Sequence, residues 1–281
     1  MVKPKKNKNN ILLIGCGEMG TSLLRGFLSS SCLPKNIQVV EKHIAQAKKI
    51  KKHFRVKVIN SIESIENNFV PKIVIFSIKP QIMDRVLPNY KNYLEKWKRS
   101  NPLVISLAAG YRLNNLRKIF GTNYNFIRIM PNLPVEYQQG IIGAFAKKKL
   151  SHKHRSLCEI LFASLGYFIW VQNERTLDSL TAFSGSGPAY VFYFCECLEK
   201  AALELGFNSK MAFYMSRFLI LGSSSILEKS DQSSEYLRKR VTSPRGTTEA
   251  AIKVLLKGKR FEKIIRKAIF AARSRAKKLS K

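Results

Sequence analysis

The chain has 281 residues, 45% of them hydrophobic, and sets 50 Lys and Arg against 18 Asp and Glu for a formal net charge of +32. That length and apolar content fit one large globular domain or two ordinary ones with a real core. No apolar run reaches bilayer-spanning length, and the Lys/Asn-rich Met1–Asn10 meets an apolar run too short for a signal peptide.

The basic excess is spread through both halves, with modest densities at Lys3–Lys8 and Lys259–Lys281. No basic stripe with interleaved aromatics appears, so a solvated surface bias is expected rather than a specific nucleic-acid or membrane face. The five cysteines (Cys16, Cys32, Cys158, Cys195, Cys197) are an odd set without metal-ligand spacing. Free thiols in a reducing cytoplasm follow, and no metal site is expected.

In chain order, Ile11–Ile14 reads as a strand and Thr21–Leu28 as the helix after it. Ile37–Val40, helical Ile44–Lys52 and Val56–Ile59 continue the alternation. Further strands are expected at Ile73–Ser77, Leu103–Leu107, Phe126–Met130 and Ile141–Phe145. This alternation implies a Rossmann-type α/β domain over residues 1–171, with a mostly parallel sheet covered on both faces. Ligands of such sheets sit beyond the carboxyl ends of the strands, so the turns after Ile14, Val40, Ser77 and Leu107 should line one crevice.

Beyond about Val171 the pattern becomes helical, giving an all-α domain over 172–281. Helices are expected at Pro188–Leu205, Met211–Leu227, Glu235–Arg240, Thr247–Leu256 and Phe261–Lys278. The run Ala189–Cys195 is apolar all round, which calls for burial on every side and makes a second subunit attractive.

Three small-residue turns stand at helix starts, where free backbone N–H groups can hold an anion. The first is Gly15-Cys16-Gly17-Glu18-Met19-Gly20, directly after a strand. Gly15 permits the tight turn, Gly17 lets backbone approach a pyrophosphate, and Gly20 lets helix and strand pack closely; together they read as a dinucleotide loop. Glu18 inside that loop is awkward beside a pyrophosphate. Glu41, at the end of the next strand, fits a free ribose 2′-hydroxyl and hence NADH; Lys42 and His43 fit a 2′-phosphate and hence NADPH. Lys79, in Ser77-Ile78-Lys79-Pro80, is either a cofactor-edge donor or a surface lysine. Asn132, between Pro131 and Pro134, either contacts nicotinamide or caps its turn. The second and third turns, Ser184-Gly185-Ser186-Gly187-Pro188 and Ser243–Thr248, suggest a site for a small acidic substrate. The four histidines fall outside it, and neither a Ser–His–Asp order nor paired catalytic carboxylates emerge, which favours chemistry supplied by a cofactor.

These motifs, in this order, resemble pyrroline-5-carboxylate reductase from Ile11 to about Leu256. Ser77–Pro80, Ser106–Gly110 and Arg128–Pro134 resemble its cofactor-domain landmarks, and Ser184–Tyr190 with Ser243–Thr248 its most specific part. The resemblance implies NADPH- or NADH-dependent reduction of 1-pyrroline-5-carboxylate to L-proline, and a helical domain that interlocks in a homodimer or a larger ring of dimers. It also implies Gly15–Gly20, Asn60, Ile78, Lys79 and Ala109 at the cofactor. Glu174, Ser184–Gly187, Thr247 and Thr248 would lie at the substrate, Thr248 bonding the ring nitrogen and Asp231 lying near the ring. The chain departs from the family pattern at Arg245-Gly246, where two glycines are usual, and at Glu18, Lys239 and Ser233-Ser234. A related imine or hydroxyacid reductase and a non-catalytic polyanion-binding relative are the alternatives.

Overall fold

The computed structural model describes residues 9–30 and 32–279. The Lys3–Lys8 cluster and the last two residues of the Lys259–Lys281 stretch lie outside them. By contacts the chain divides into two compact units, one running to Ser186 and including the segment from Ala272, the other Gly187–Ala271.

In the first unit the elements are β1 (Ile11–Ile14), α1 (Glu18–Ser30), β2 (Ile37–Val40), α2 (Ile44–Phe54), β3 (Lys57–Ile59), β4 (Ile73–Phe76), α3 (Met83–Val86), α4 (Lys91–Lys96), β5 (Leu103–Ser106), α5 (Leu113–Phe120), β6 (Asn125–Met130), β7 (Gly140–Phe145), α6 (His152–Ala163), β8 (Gly166–Trp170) and α7 (Glu174–Leu180). The eight strands form one sheet in the order β3-β2-β1-β4-β5-β6-β7-β8. All neighbours pair parallel except β6 and β7. The order reverses at β1, whose neighbours are β2 and β4, and this is the switch point where such sheets bind ligands.

The central strands are apolar throughout because both faces are covered. Ile11, Leu13, Val39, Ile73, Ile75 and Ile105 point to one face, against Leu23, Leu24 and Phe27 of α1 and Leu161 and Phe162 of α6. Leu12, Ile14, Val74, Phe76 and Val104 point to the other, against Met83, Leu94, Leu116 and Phe120. Full burial of each such side chain contributes about 1.5–3 kcal/mol. The sequence reading passes over α5, α6, α7 and β8, and begins α1 later than its observed start at Glu18. That start puts Glu18 on the exposed first turn, where the helix dipole favours a carboxylate.

The division by contacts falls after Ser186, whereas the sequence places a boundary at 171/172; polar bonds, together with Leu177 and Leu180 beside Gly143, hold the intervening segment in the sheet unit. Buried Arg128, within β6, donates from Nη1 to Glu174 Oε1 at 3.1 Å, and its Nη2 lies 3.7 Å from Asp178 Oδ1. Glu174 Oε1 also accepts the Leu113 N–H at 2.9 Å. Asn132 donates to the Ser184 carbonyl and accepts the Ile141 N–H. These bonds tie α7 and the π-turn Thr181–Gly185 to the sheet unit.

The second unit contains α8 (Gly187–Glu204), α9 (Ser209–Lys229), α10 (Ser234–Arg240), α11 (Thr247–Leu256) and most of α12 (Arg260–Leu279). Large apolar side chains are exposed along it: Phe192, Tyr193, Phe194, Phe218, Leu221 and Val254 among them. No helix among the described residues is long and apolar enough to cross a membrane. All five cysteines are free.

Arg128 is the buried cation beside Asp178, which is itself buried, and beside half-buried Glu174, whose Oε2 also lies 4.0 Å from Arg112. Arg128→Leu is therefore expected to lower unfolding stability by about 3–5 kcal/mol, measured by urea denaturation; a loss below 1 kcal/mol would show that the cluster is not structural.

Candidate active site

The glycine turn between β1 and α1 is shaped by backbone sterics. Gly15 has φ +82°, and a Cβ there would lie 2.6 Å from Ile78 Cγ2 and 2.7 Å from the Ser77 carbonyl oxygen. A Cβ on Gly20 would lie 2.6 Å from the Gly15 oxygen, so α1 leaves the strand by backbone-to-backbone contact. Gly17 differs from both. It is exposed, and a Cβ there would meet nothing within 4 Å. The fold does not require this glycine; an approaching ligand would.

Beside the turn lies a cavity of about 730 Å³ over the ends of β1, β2 and β4. It brings together Gly15, Gly17, Glu41, Lys42, His43, Ile78 and Lys79 from the expected set. The turns after Ile14, Val40 and Ser77 do share this crevice, whereas the one after Leu107 does not contribute to it. A cavity of this size, with an uncrowded Gly17 at its wall, fits a dinucleotide.

Glu41 ties the crevice together. It is 6% exposed, its Oε2 accepts the Cys16 N–H at 2.8 Å, and its Oε1 accepts the His43 N–H at 3.0 Å. Gln46, one turn into α2, donates to the Cys16 carbonyl at 2.7 Å and to Thr21 Oγ1 at 3.2 Å. Glu41 and Gln46 thus hold the two sides of one peptide neighbourhood in the glycine turn. Gln46, Ser61, Glu63 and Arg85 also line the cavity and are absent from the sequence reading. Gln46 carries a helical-spacing signal, three residues after His43; Arg85 carries none. The Cys16 thiol is pushed up to about 12 by burial, with Glu41 adding to the rise and the Thr21 hydroxyl opposing it, so it stays protonated at neutral pH.

The remaining expected cofactor residues fall elsewhere. Cys16 and Gly20 are buried in the turn, Met19 is half-buried, and Glu18 and Asn60 are exposed. Ala109 lies with Ser186, Asp178 and Thr181 around a small cavity of about 170 Å³. Asn132 is buried, its amide donating to the Ser184 carbonyl and accepting the Ile141 N–H, and its side chain makes no cap bond to its own turn.

Of the expected substrate residues, Glu174 accepts at Oε1 from Arg128 and the Leu113 N–H, and its Oε2 lies 4.0 Å from Arg112. The Ser184 hydroxyl donates back to the Leu180 carbonyl at 2.9 Å. Gly185 and Gly187 need no glycine on steric grounds: a Cβ on Gly185 would make only ordinary contact with Thr181, and one on Gly187 would meet nothing within 4 Å. In the second unit, Arg245 takes φ +59°, the left-handed region that the family's glycine there would adopt freely. Its N–H donates to Glu249 Oε2 at 2.9 Å, so the departure from glycine is accommodated by a carboxylate one turn into α11. That bond, then Lys253, holds the Glu249 carboxyl below the ordinary range. Gly246 caps α11 without a side-chain bond, leaving Thr247 exposed and Thr248 half-buried on its first turn. Asp231 is exposed in the α9–α10 connection.

Because Gly17 alone in the turn has space for a side chain, Gly17→Val is expected to fold normally, with an unchanged melting temperature, while losing dinucleotide binding by fluorescence titration. Unchanged affinity would show that the turn is only structural.

Comparison with known proteins bears on both halves. Residues 10–110 match the family described as NADP oxidoreductase, coenzyme F420-dependent, and residues 174–279 match pyrroline-5-carboxylate reductase dimerisation. Pyrroline-5-carboxylate reductase of Pseudomonas aeruginosa is 31% identical over 271 residues, covering 96% of this chain and 96% of its own. That of Arabidopsis thaliana is 31% identical over 268 residues, covering 95% and 94%. Among solved structures, a pyrroline-5-carboxylate reductase from Coxiella burnetii superposes with a TM-score of 0.86 at 33% identity, over 98% of this chain and all of that one. A Plasmodium falciparum pyrroline carboxylate reductase with NADP bound gives 0.83 at 26% identity, over 98% and 100%. Near-complete coverage in both directions, on a sheet with the expected switch point and glycine turn, establishes that this chain belongs to the pyrroline-5-carboxylate reductase family.

Proposed function

We propose that this chain reduces 1-pyrroline-5-carboxylate to L-proline, the last step of proline biosynthesis, with NADPH or NADH. The observation that carries this reading is the dinucleotide-sized crevice of the first unit; the second unit, taken by itself, adds an uncapped helix start bearing Thr247-Thr248. A nicotinamide cofactor supplies the hydride. The protein's own work is then to orient, to hold a carboxylate and to stabilise the ring nitrogen.

Glu41, Lys42, His43, Ile78 and Lys79 line the cofactor crevice, and the glycine turn offers backbone to a pyrophosphate. First-turn N–H groups of α11, together with Thr247, receive the substrate carboxylate. The Thr248 hydroxyl bonds the ring nitrogen, and Asp231 or solvent supplies the proton. Protonation at that nitrogen makes the imine carbon more electrophilic, so no strong general base is needed.

Assembly follows from the exposed apolar side chains of α8 and α9. Phe192, Tyr193 and Phe218 are each more than 60% exposed in the single chain, and an apolar surface of that extent is ordinarily covered by a partner. A homodimer, alone or within a larger ring, buries it. Five free thiols, three of them buried, fit a cytoplasmic enzyme.

Two measurements test this reading. Multi-angle light scattering at micromolar concentration is expected to give a dimer or a multiple of dimers; a monomer would refute the assembly. In a coupled assay of nicotinamide oxidation with 1-pyrroline-5-carboxylate, wild-type protein is expected to turn over. Thr248→Val, which keeps the shape and removes the hydroxyl, should lower kcat/KM by roughly threefold to a hundredfold, the kinetic equivalent of a hydrogen bond worth about 0.5–3 kcal/mol. Full efficiency with a lower melting temperature would reduce Thr248 to a structural helix-start residue.

A further inference from the structure

The buried carboxylate at the end of β2 has a consequence for cofactor choice. We propose that Glu41 makes this enzyme select NADH over NADPH, by accepting hydrogen bonds from a free ribose diol and excluding a 2′-phosphate; this deepens the reductase reading and rests on it.

Each carboxylate oxygen has roughly two acceptor positions, and an ionised carboxylate has no donor. In Glu41 one position on each oxygen is filled by backbone, Oε2 by Cys16 N–H and Oε1 by His43 N–H. The positions that remain belong to a group that lines the cavity, and only a donor satisfies them. A ribose with both hydroxyls free brings two O–H donors. A 2′-phosphate removes one of them and sets a doubly charged anion against a carboxylate that is 6% exposed. No Lys or Arg among the described residues forms an ion pair with Glu41.

The opposing charges are weaker. Lys42, His43, Lys79 and Arg85 line the same cavity and all are exposed, so solvent and salt screen them, whereas Glu41 is shielded from both. Lys42 also has a carboxylate near it: the Glu63 carboxyl sits below its usual range because of its own backbone N–H, then the Ser61 hydroxyl, and also the Lys42 charge. The backbone N–H of His43 is already given to Glu41. Glu41 is not free to swing aside for a phosphate, because doing so abandons the Cys16 N–H inside the glycine turn, and a buried N–H without an acceptor is costly. The carboxylate is held in place by the same turn that receives the pyrophosphate.

The test is direct binding, with turnover as a second readout. Dissociation constants for NADH and NADPH are measured by fluorescence titration and calorimetry on wild-type protein, Glu41→Gln and Glu41→Ser. Wild type is expected to bind NADH about tenfold or more tightly than NADPH, the scale of one hydrogen bond to a charged group. Both variants should narrow or invert that ratio by about tenfold, mainly by tightening NADPH. The wild-type ratio stands by itself should a variant fold poorly. NADPH binding as tight as NADH in wild type would overturn this inference while leaving the reductase reading intact. NADH preference without oxidation of either dinucleotide by 1-pyrroline-5-carboxylate would support the inference and overturn the reductase reading. Absence of binding to either dinucleotide would overturn both.

Discussion

The close passage of backbone against backbone at the β1–α1 turn is the constraint on which the crevice beside it depends. With Gly15 in the left-handed region and Gly20 against the Gly15 carbonyl, α1 starts within three residues of the strand end and aims its first N–H groups over the sheet. A side chain at either position would push helix and strand apart by more than the packing of Leu23, Leu24 and Phe27 tolerates, because close-packed interiors transmit such shifts. The turn is also braced laterally. Gly15 donates its N–H to the Val40 carbonyl at 2.8 Å, and Glu41 and Gln46 bond the Cys16 peptide groups from the β2–α2 side. The crevice wall is therefore a joint of two consecutive βα turns, so a change in one is felt by the other.

A second joint lies at the far end of the sheet unit. Arg128 is buried with two carboxylates, and only one contact, to Glu174, is within hydrogen-bond distance. An isolated ion pair in such a place seldom adds net stability, since desolvation offsets attraction. Its structural effect is one of position. It fixes α7 against β6 so that the π-turn and Ser184–Gly187 leave the sheet unit at one defined place. A π-turn is rare in helices and tends to occur where function needs a local departure from regular geometry. The family resemblance gives Glu174 a substrate role; in the structure its Oε1 accepts from Arg128 and from the Leu113 N–H.

The sequence discloses this architecture unevenly, for identifiable reasons. Alternation of apolar strands and helices gives the parallel sheet, and glycine spacing assigns separate tasks to Gly15, Gly17 and Gly20 that the steric surroundings of each then match. Local signals suffice there because the chemistry is local. Asn132 stays ambiguous in sequence because its partner Ser184 is 52 residues away, and that separation carries no periodic signal. Helix α7 is short, marked only by the Asn173 cap that accepts the Thr176 N–H, so propensity alone does not separate it from a linker. Arg85 enters the cavity from a helix of four residues, below the length at which periodicity can be read. Arg245 is legible as a departure, yet the compensating bond from its N–H to Glu249 needs the turn geometry to be seen.

The large positive charge and the apolar helices of the second unit make opposing demands on assembly. Two copies each carrying +32 repel one another, and at physiological ionic strength that repulsion reaches only about 8 Å. What matters is therefore where the charges sit on the helices that would meet. The Ala189–Cys195 run of α8 has no charged residue, and the nearest cation along it, Lys200, is bonded to Glu196 at 2.6 Å. Arg217 of α9 stacks on Phe213, 3.4 Å from its ring centroid, and lies 3.5 Å from Glu199. The cations nearest the apolar surface are thus already engaged by acids or aromatic faces within the unit. Were two copies to meet through these helices, burial of Phe192, Tyr193 and Phe218 would act over contact distance, where it is strongest, while charge elsewhere would be screened by salt.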